Sequence, residues 1–194
     1  MESRRFILAS ASPRRAEILK RCGYEFEIIV SDADEALPDG ISANEAVLLL
    51  SKIKAESVSK NNRGSVVLGC DTVVSLDGKI LGKPKDETQA FEMLRSLSGR
   101  IHKVYTGVTV TDGERSESFL NETQVEFYPL SEETIASYIA TGEPMDKAGA
   151  YGIQGFGSVL VRKIDGDYFS VMGLAVNESA RALSRFGVKG KVEV

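Results

Sequence analysis

The stretch Leu8-Ala9-Ser10-Ala11-Ser12-Pro13-Arg14-Arg15 reads as a strand turning directly into a helix. Arg5 to Ala9 is short and apolar, and Pro13 to Cys22 follows as a helix. Ser12 suits the N-cap, and Pro13 suits the first helical position, where a missing N–H is no loss. The unpaired N–H groups of that turn carry partial positive charge, so two arginines beside them are locally unfavourable. A phosphate held by the N–H groups and the guanidinium forks together would remove the conflict. The bland alternative is a solvated pair of surface arginines.

Downstream, Ala16, Leu19 and Gly23 share a helix side with Ile18 and Cys22 flanking it, and Phe26 to Val30 reads as a second strand. Ser31 to Gly40 is acidic and turn-rich; Asp32, Asp34 and Glu35 could hold a divalent ion or form a solvated loop. Ser42-Ala43-Asn44-Glu45 is a capping box that opens a helix running to about Ser59. Val47, Leu50 and Lys54 recur on it at near-helical spacing, so Lys54 either snorkels from an apolar stripe or aims its charge into a site. Val66 to Val74 is a strongly apolar strand interrupted by Asp71, a costly place for a carboxylate unless it is paired, metal-bound or functional. Alternation puts Gly69, Asp71 and Val73 on one face, and Cys70, Thr72 and Val74 on the other.

Asp77-Gly78 signals a hairpin, followed by Gly82-Lys83-Pro84, where a lysine beside a glycine could approach a phosphate or form an ordinary turn. Asp86 with Gln89 caps a helix to about Leu97. His102, the single histidine, opens a strand to Val110 and reads as structural. Ser116 to Tyr128 returns across Asp112-Gly113, giving a long two-stranded arm, the candidate second lobe. A helix from Ser131 ends near Gly142. The glycine-rich loop after it, Glu143 to Gly155, suits close approach to a planar or phosphorylated ligand. Val159 to Ile164 reads as a strand, Ser170 to Arg185 as the last helix, and Lys189 to Val194 as a loose tail.

The chain of 194 residues fits one domain with room for two lobes. A net charge of −4 argues against a general nucleic-acid surface while leaving room for one local anion pocket. Cys22 and Cys70 read as reduced core thiols of a cytosolic protein. Met1 to Leu8 does not read as a signal peptide, and no apolar run approaches the ~20 residues of a membrane span. There is no Walker A motif, no Gly-x-Gly-x-x-Gly after a strand and no Gly-x-Ser-x-Gly elbow. The remaining cations Arg14, Arg15, Lys54 and Lys83, with the carboxylates Glu35, Asp71 and Asp146, are the mixture that phosphoryl chemistry uses.

Four ordered blocks carry a family resemblance. Ser10 to Leu19 resembles the opening signature of the Maf family of nucleoside triphosphate pyrophosphatases. Gly69-Cys70-Asp71-Thr72-Val73-Val74 with Gly82-Lys83-Pro84 resembles its second block, Ser98-Gly99 with His102 and Thr106 its third, and Asp146 to Gly155 its fourth. Cys70 stands where alanine is common, and Tyr168 to Ala175 only approximates the usual Asn-Val-Val-Gly-Leu-Pro ending. The resemblance implies one domain over 1–194 with an α/β fold. Its mixed twisted sheet is flanked by helices, and two lobes surround a central cleft, similar to the inosine triphosphate pyrophosphatases; 101–145 would build most of the second lobe. It also implies hydrolysis between the α- and β-phosphates with Mg²⁺, Mn²⁺ or Co²⁺, in a cytoplasmic homodimer that contacts neither nucleic-acid polymer nor membrane.

Arg15, Lys83 and Gln154 are similar to the subgroup acting on dTTP, UTP and modified uridine nucleotides. The roles that follow are Asp71, Lys54 and Lys83 as catalytic, and Glu35 with Asp71 for the metal. Ser10, Ser12, Arg14, Arg15, Asp146, Lys147 and Gln154 would bind substrate. The family name also refers to inhibition of septum formation, which leaves a non-catalytic nucleotide-binding regulator of division as the rival reading.

Overall fold

The computed structural model describes residues 4–194, so the part of the N-terminal reading that concerns Met1 to Ser3 lies outside the described residues. In chain order the elements are β1 (Phe6–Ala9), α1 (Pro13–Arg21), β2 (Glu27–Ile28), α2 (Ala43–Lys60), β3 (Val66–Leu76), β4 (Lys79–Leu81), α3 (Glu87–Leu97), β5 (Ile101–Thr111), β6 (Ser116–Phe127), α4 (Glu132–Ile139), β7 (Val161–Asp165), α5 (Tyr168–Met172) and α6 (Val176–Arg185). Three 3₁₀ turns, Glu143–Asp146, Ala148–Ala150 and Gly155–Leu160, lie between α4 and β7.

The strands form one sheet in the order β2-β1-β3-β5-β6-β7, with β4 paired to β3. The sheet is mixed: β1 is parallel to β2 and β3, whereas β3/β4 and β6/β7 are antiparallel. The expected mixed sheet flanked by helices is therefore present. β5 and β6, expected as a long two-stranded arm, are neighbouring strands within it. The expected second strand shrinks to Glu27–Ile28, both exposed, because it pairs only at the sheet edge. Asp77 and Gly78 both take positive φ, 51° and 79°, as a two-residue hairpin of the I′ kind requires, and Leu76 lies opposite Lys79.

The packing divides the chain into two units. The first comprises Thr106–Asn121, Gly173–Val194 and the described part of Met1–Asp71. In it, Ala55 and Val58 of α2 cover Ile7, Ala9 and Val67. This helix seats almost on the backbone of two strands because glycine stands beneath it twice. A Cβ at Gly69 would lie 2.3 Å from the Ser51 carbonyl, and one at Gly107 would lie 2.4 Å from the Val47 carbonyl. The tail is docked: Lys191 N–H donates to the Cys22 carbonyl at 3.1 Å, and Gly190 lies against the Tyr24 ring.

The second unit comprises Thr72–Tyr105 and Glu122–Met172. Leu94 and Leu97 of α3, Ile135 and Tyr138 of α4, and Val125 and Phe127 of β6 build its core. His102, Phe127 and Tyr151 meet edge to face there. His102 is buried with Nε2 2.7 Å from the Tyr151 hydroxyl, as a structural histidine should be, although Nδ1 has no partner among the described residues. The residues expected to begin the strand at Val159 belong instead to a 3₁₀ turn. The expected last helix is two helices, broken at Gly173, whose φ is 123°.

Candidate active site

In the first unit, α2 carries the charge that the sequence left ambiguous. Val47 and Leu50 are buried on its strand-facing side, and Lys54 continues that side toward β3. Lys54 Nζ donates to Asp71 Oδ1 at 2.6 Å and lies 3.1 Å from Glu35 Oε2. The Lys54 and Asp71 side chains are only 12% and 15% exposed, against 48% for Glu35. Lys54 therefore does not snorkel; it is drawn inward between two carboxylates. Gly69 faces α2 as well, so Gly69 and Asp71 share a strand face as their alternation predicted.

The opening motif is fixed by its own side chains and by the C-terminal segment. Arg15 Nη1 donates to Ser10 Oγ at 2.9 Å, and Arg15 Nε donates to the Gly173 carbonyl at 2.8 Å. Ser12 occupies the N-cap in extended backbone, but its hydroxyl makes no capping bond. Ser10 Oγ instead accepts from the Ser12 N–H at 3.2 Å. The buried Cys70 thiol also donates to the Gly173 carbonyl, at 3.1 Å, and burial pushes its pKa up to about 11. Cys70 is thus a packed donor and not a reactive thiolate. Gly173 was missed in the sequence; the available signal was a glycine inside an otherwise helical pattern.

In the second unit, Lys83 is exposed just after β4, and the Gly82 carbonyl accepts from Gly149 N–H at 3.0 Å. Lys147 Nζ donates to Asp146 Oδ1 and to the Glu143 carbonyl, both at 2.6 Å. Gln154 is half-buried at the start of the 3₁₀ turn Gly155–Leu160. The sequence predicts close backbone approach to a ligand at the glycines around it. In the structure Gly152, Gly155 and Gly157 approach Glu143 and Tyr138, two residues the sequence reading passed over.

Among the described residues no three His, Cys, Asp or Glu side chains cluster to hold a metal ion. Glu35 and Asp71 are nevertheless oxygen donors that converge on one ammonium with an excess of negative charge. That donor set fits Mg²⁺, which is bound by one or two carboxylates together with phosphate oxygens and water rather than by an all-protein cage.

Residues 5–186 match the family described as Maf-like protein. The chain belongs to the Maf family. This Maf chain is 50% identical over 187 residues to a dTTP/UTP pyrophosphatase of Bacillus velezensis, covering 96% of this chain and 99% of that protein. It is 48% identical over 185 residues to a dTTP/UTP pyrophosphatase of Bacillus cereus, covering 95% and 97%. Among solved structures it is similar to the Ham1 protein of Staphylococcus aureus, with a TM-score of 0.48 and 16% identity over 81% of this chain and 79% of that one. The Maf blocks expected from the sequence fall within the matched span. Among the described residues no helix is long and apolar enough to cross a membrane.

Proposed function

We propose that the protein hydrolyses dTTP and UTP to the nucleoside monophosphate and pyrophosphate. The observation that carries this reading is the withdrawn Lys54–Asp71 pair with Glu35 beside it, in a chain about half identical to proteins named for that activity. Asp71 takes the proton of the water that attacks the α-phosphorus. Lys54 holds Oδ1 of that carboxylate in place and offsets negative charge as the phosphorus is attacked. Arg15, pinned by Ser10 and Gly173, and Arg14 on the same turn bind phosphate oxygens at the start of α1, where the helix N–H groups add to the attraction. Lys83 neutralises charge on the departing pyrophosphate, and Lys147 holds Asp146 at the edge of the loop. Gln154 contacts the pyrimidine, since its amide can both donate to and accept from a uracil-type edge. Asp71 and Glu35 would hold a divalent ion, which offsets phosphate charge when bound.

A nucleotide panel with Mg²⁺, Mn²⁺ or Co²⁺ tests the reaction, with dTTP and UTP expected to give monophosphate and pyrophosphate. Release of single phosphate, or no turnover of any nucleotide, overturns it. Asp71→Asn is expected to lower turnover by about 10²- to 10⁴-fold in a folded protein. Wild-type activity in that variant would remove Asp71 from the chemistry.

A further inference from the structure

The glycine-rich loop is wrapped around a side chain of the protein itself. Glu143 follows Gly142, whose φ is 74°, and its carboxylate turns back beneath the loop. Oε1 accepts from the Tyr138 hydroxyl at 2.9 Å and from Gly157 N–H at 3.0 Å, and Oε2 accepts from Phe156 N–H at 2.9 Å. The Tyr138 oxygen in turn accepts from Gly152 N–H at 3.0 Å. Gln154 therefore sits on a short arch whose two feet, Gly152 and Phe156-Gly157, rest on one linked pair of side chains.

The fit leaves no room for larger residues. A Cβ would lie 2.4 Å from Glu143 Oε2 at Gly155, 2.6 Å from the Tyr138 hydroxyl oxygen at Gly157, and 3.2 Å from Glu143 Oε1 at Gly152. Burial works against the charged carboxylate. The N–H groups of Gly157 and Phe156, the Tyr138 hydroxyl and Lys147 outweigh it and hold the carboxyl below its usual range. An ionised acceptor makes these bonds roughly twice as strong as neutral ones. A side-chain amide can tell one base edge from another only if its backbone is held still, and this arch is where that backbone is held.

We propose that Glu143, acting with Tyr138, is a positioning residue that sets the orientation of Gln154 and so the enzyme's selectivity for the uracil-type base. This rests on the reading of Gln154 as the base contact. Steady-state kinetics on the full-length enzyme with dTTP, UTP, dCTP and dATP test it, in Glu143→Gln, Tyr138→Phe, Gln154→Ala and the Glu143→Gln/Gln154→Ala double variant.

Glu143→Gln turns an amide N–H₂ toward a backbone N–H, and selectivity for dTTP over dCTP in kcat/KM is expected to fall about tenfold, mainly through KM. Tyr138→Phe gives a smaller loss of the same kind. In the Gln154→Ala background Glu143→Gln has no further effect on selectivity. A purely structural role would lower kcat for every nucleotide alike and leave the ratio unchanged. The inference is overturned if Glu143→Gln and Tyr138→Phe keep wild-type selectivity while Gln154→Ala loses it. It is equally overturned if Glu143→Gln costs the same selectivity with Gln154 already gone. Wild-type selectivity in Gln154→Ala overturns the base-contact reading and this inference with it. Should Glu143→Gln fail to fold, Tyr138→Phe, alone and combined with Gln154→Ala, decides on the same criteria.

Discussion

Lys54 and His102 are two polar residues among apolar neighbours, and only Lys54 was ambiguous until its partners were placed. The Asp71 interruption of an apolar run showed in the sequence that a charge had to be matched inside. The matching residue, 17 positions earlier on a helix, could be identified only once α2 lay on β3. Lys54→Gln removes the ammonium and shortens the side chain by one atom; turnover of dTTP is expected to fall about 10²-fold with the fold intact, read from kcat beside circular dichroism. His102 was legible as structural, but not its price in acid. Burial lowers its pKa from 6.5 to about 4, so the folded protein excludes a proton that the unfolded chain binds. Stability is accordingly unaffected above pH ~6.5 and falls as the pH drops from there to about 4, by up to about 3 kcal/mol. Urea titrations at stepped pH check this, and His102→Gln should flatten the slope in that window. An unchanged slope in the variant would assign the acid sensitivity to other groups.

At the scale of elements, local signals were enough wherever local chemistry decides. The capping box at Ser42 and Glu45, the Asp77-Gly78 hairpin and the Asp86–Gln89 cap all form where the sequence placed them. What local signals missed were ends decided by remote partners. α5 and α6 are separated at Gly173, whose φ is 123° and whose carbonyl accepts from Arg15 and Cys70, 158 and 103 residues away in the chain. The depth at which α2 lies was equally invisible, since it depends on Gly69 and Gly107 meeting the helix backbone. Gly69→Ala is expected to destabilise the protein by about 1–3 kcal/mol in chemical unfolding, because the added methyl must push α2 away. It should also lower turnover by drawing Lys54 off Asp71. Wild-type stability in Gly69→Ala would show that the helix yields without cost.

Across the whole molecule, family membership was readable because four sequence blocks stand in order over nearly the full chain. Two lobes were expected from the sequence, but the exact boundaries of the two units were not readable. Three of the four, at Asp71/Thr72, Tyr105/Thr106 and Asn121/Glu122, fall inside β3, β5 and β6, where composition gives no linker to see. A nucleotide that binds only the folded chain must stabilise it by mass action. A non-hydrolysable dTTP analogue at about 100 times its Kd should add about 2.7 kcal/mol, which raises Tm by roughly 5–10 °C for a chain of this size. Differential scanning with and without Mg²⁺ measures the shift, and no shift at saturating analogue would overturn nucleotide binding. The hydrogen bond from Arg15 to the Gly173 carbonyl also sets a birth order for the activity. Arg15, the arginine proposed to bind phosphate, is synthesised 158 positions before its anchor. At synthesis rates of ~5–20 residues per second the nascent chain carries an unfinished opening motif for roughly eight to thirty seconds. A ribosome stalled before Gly173 would hold a chain able to begin its sheet and unable to seat Arg15.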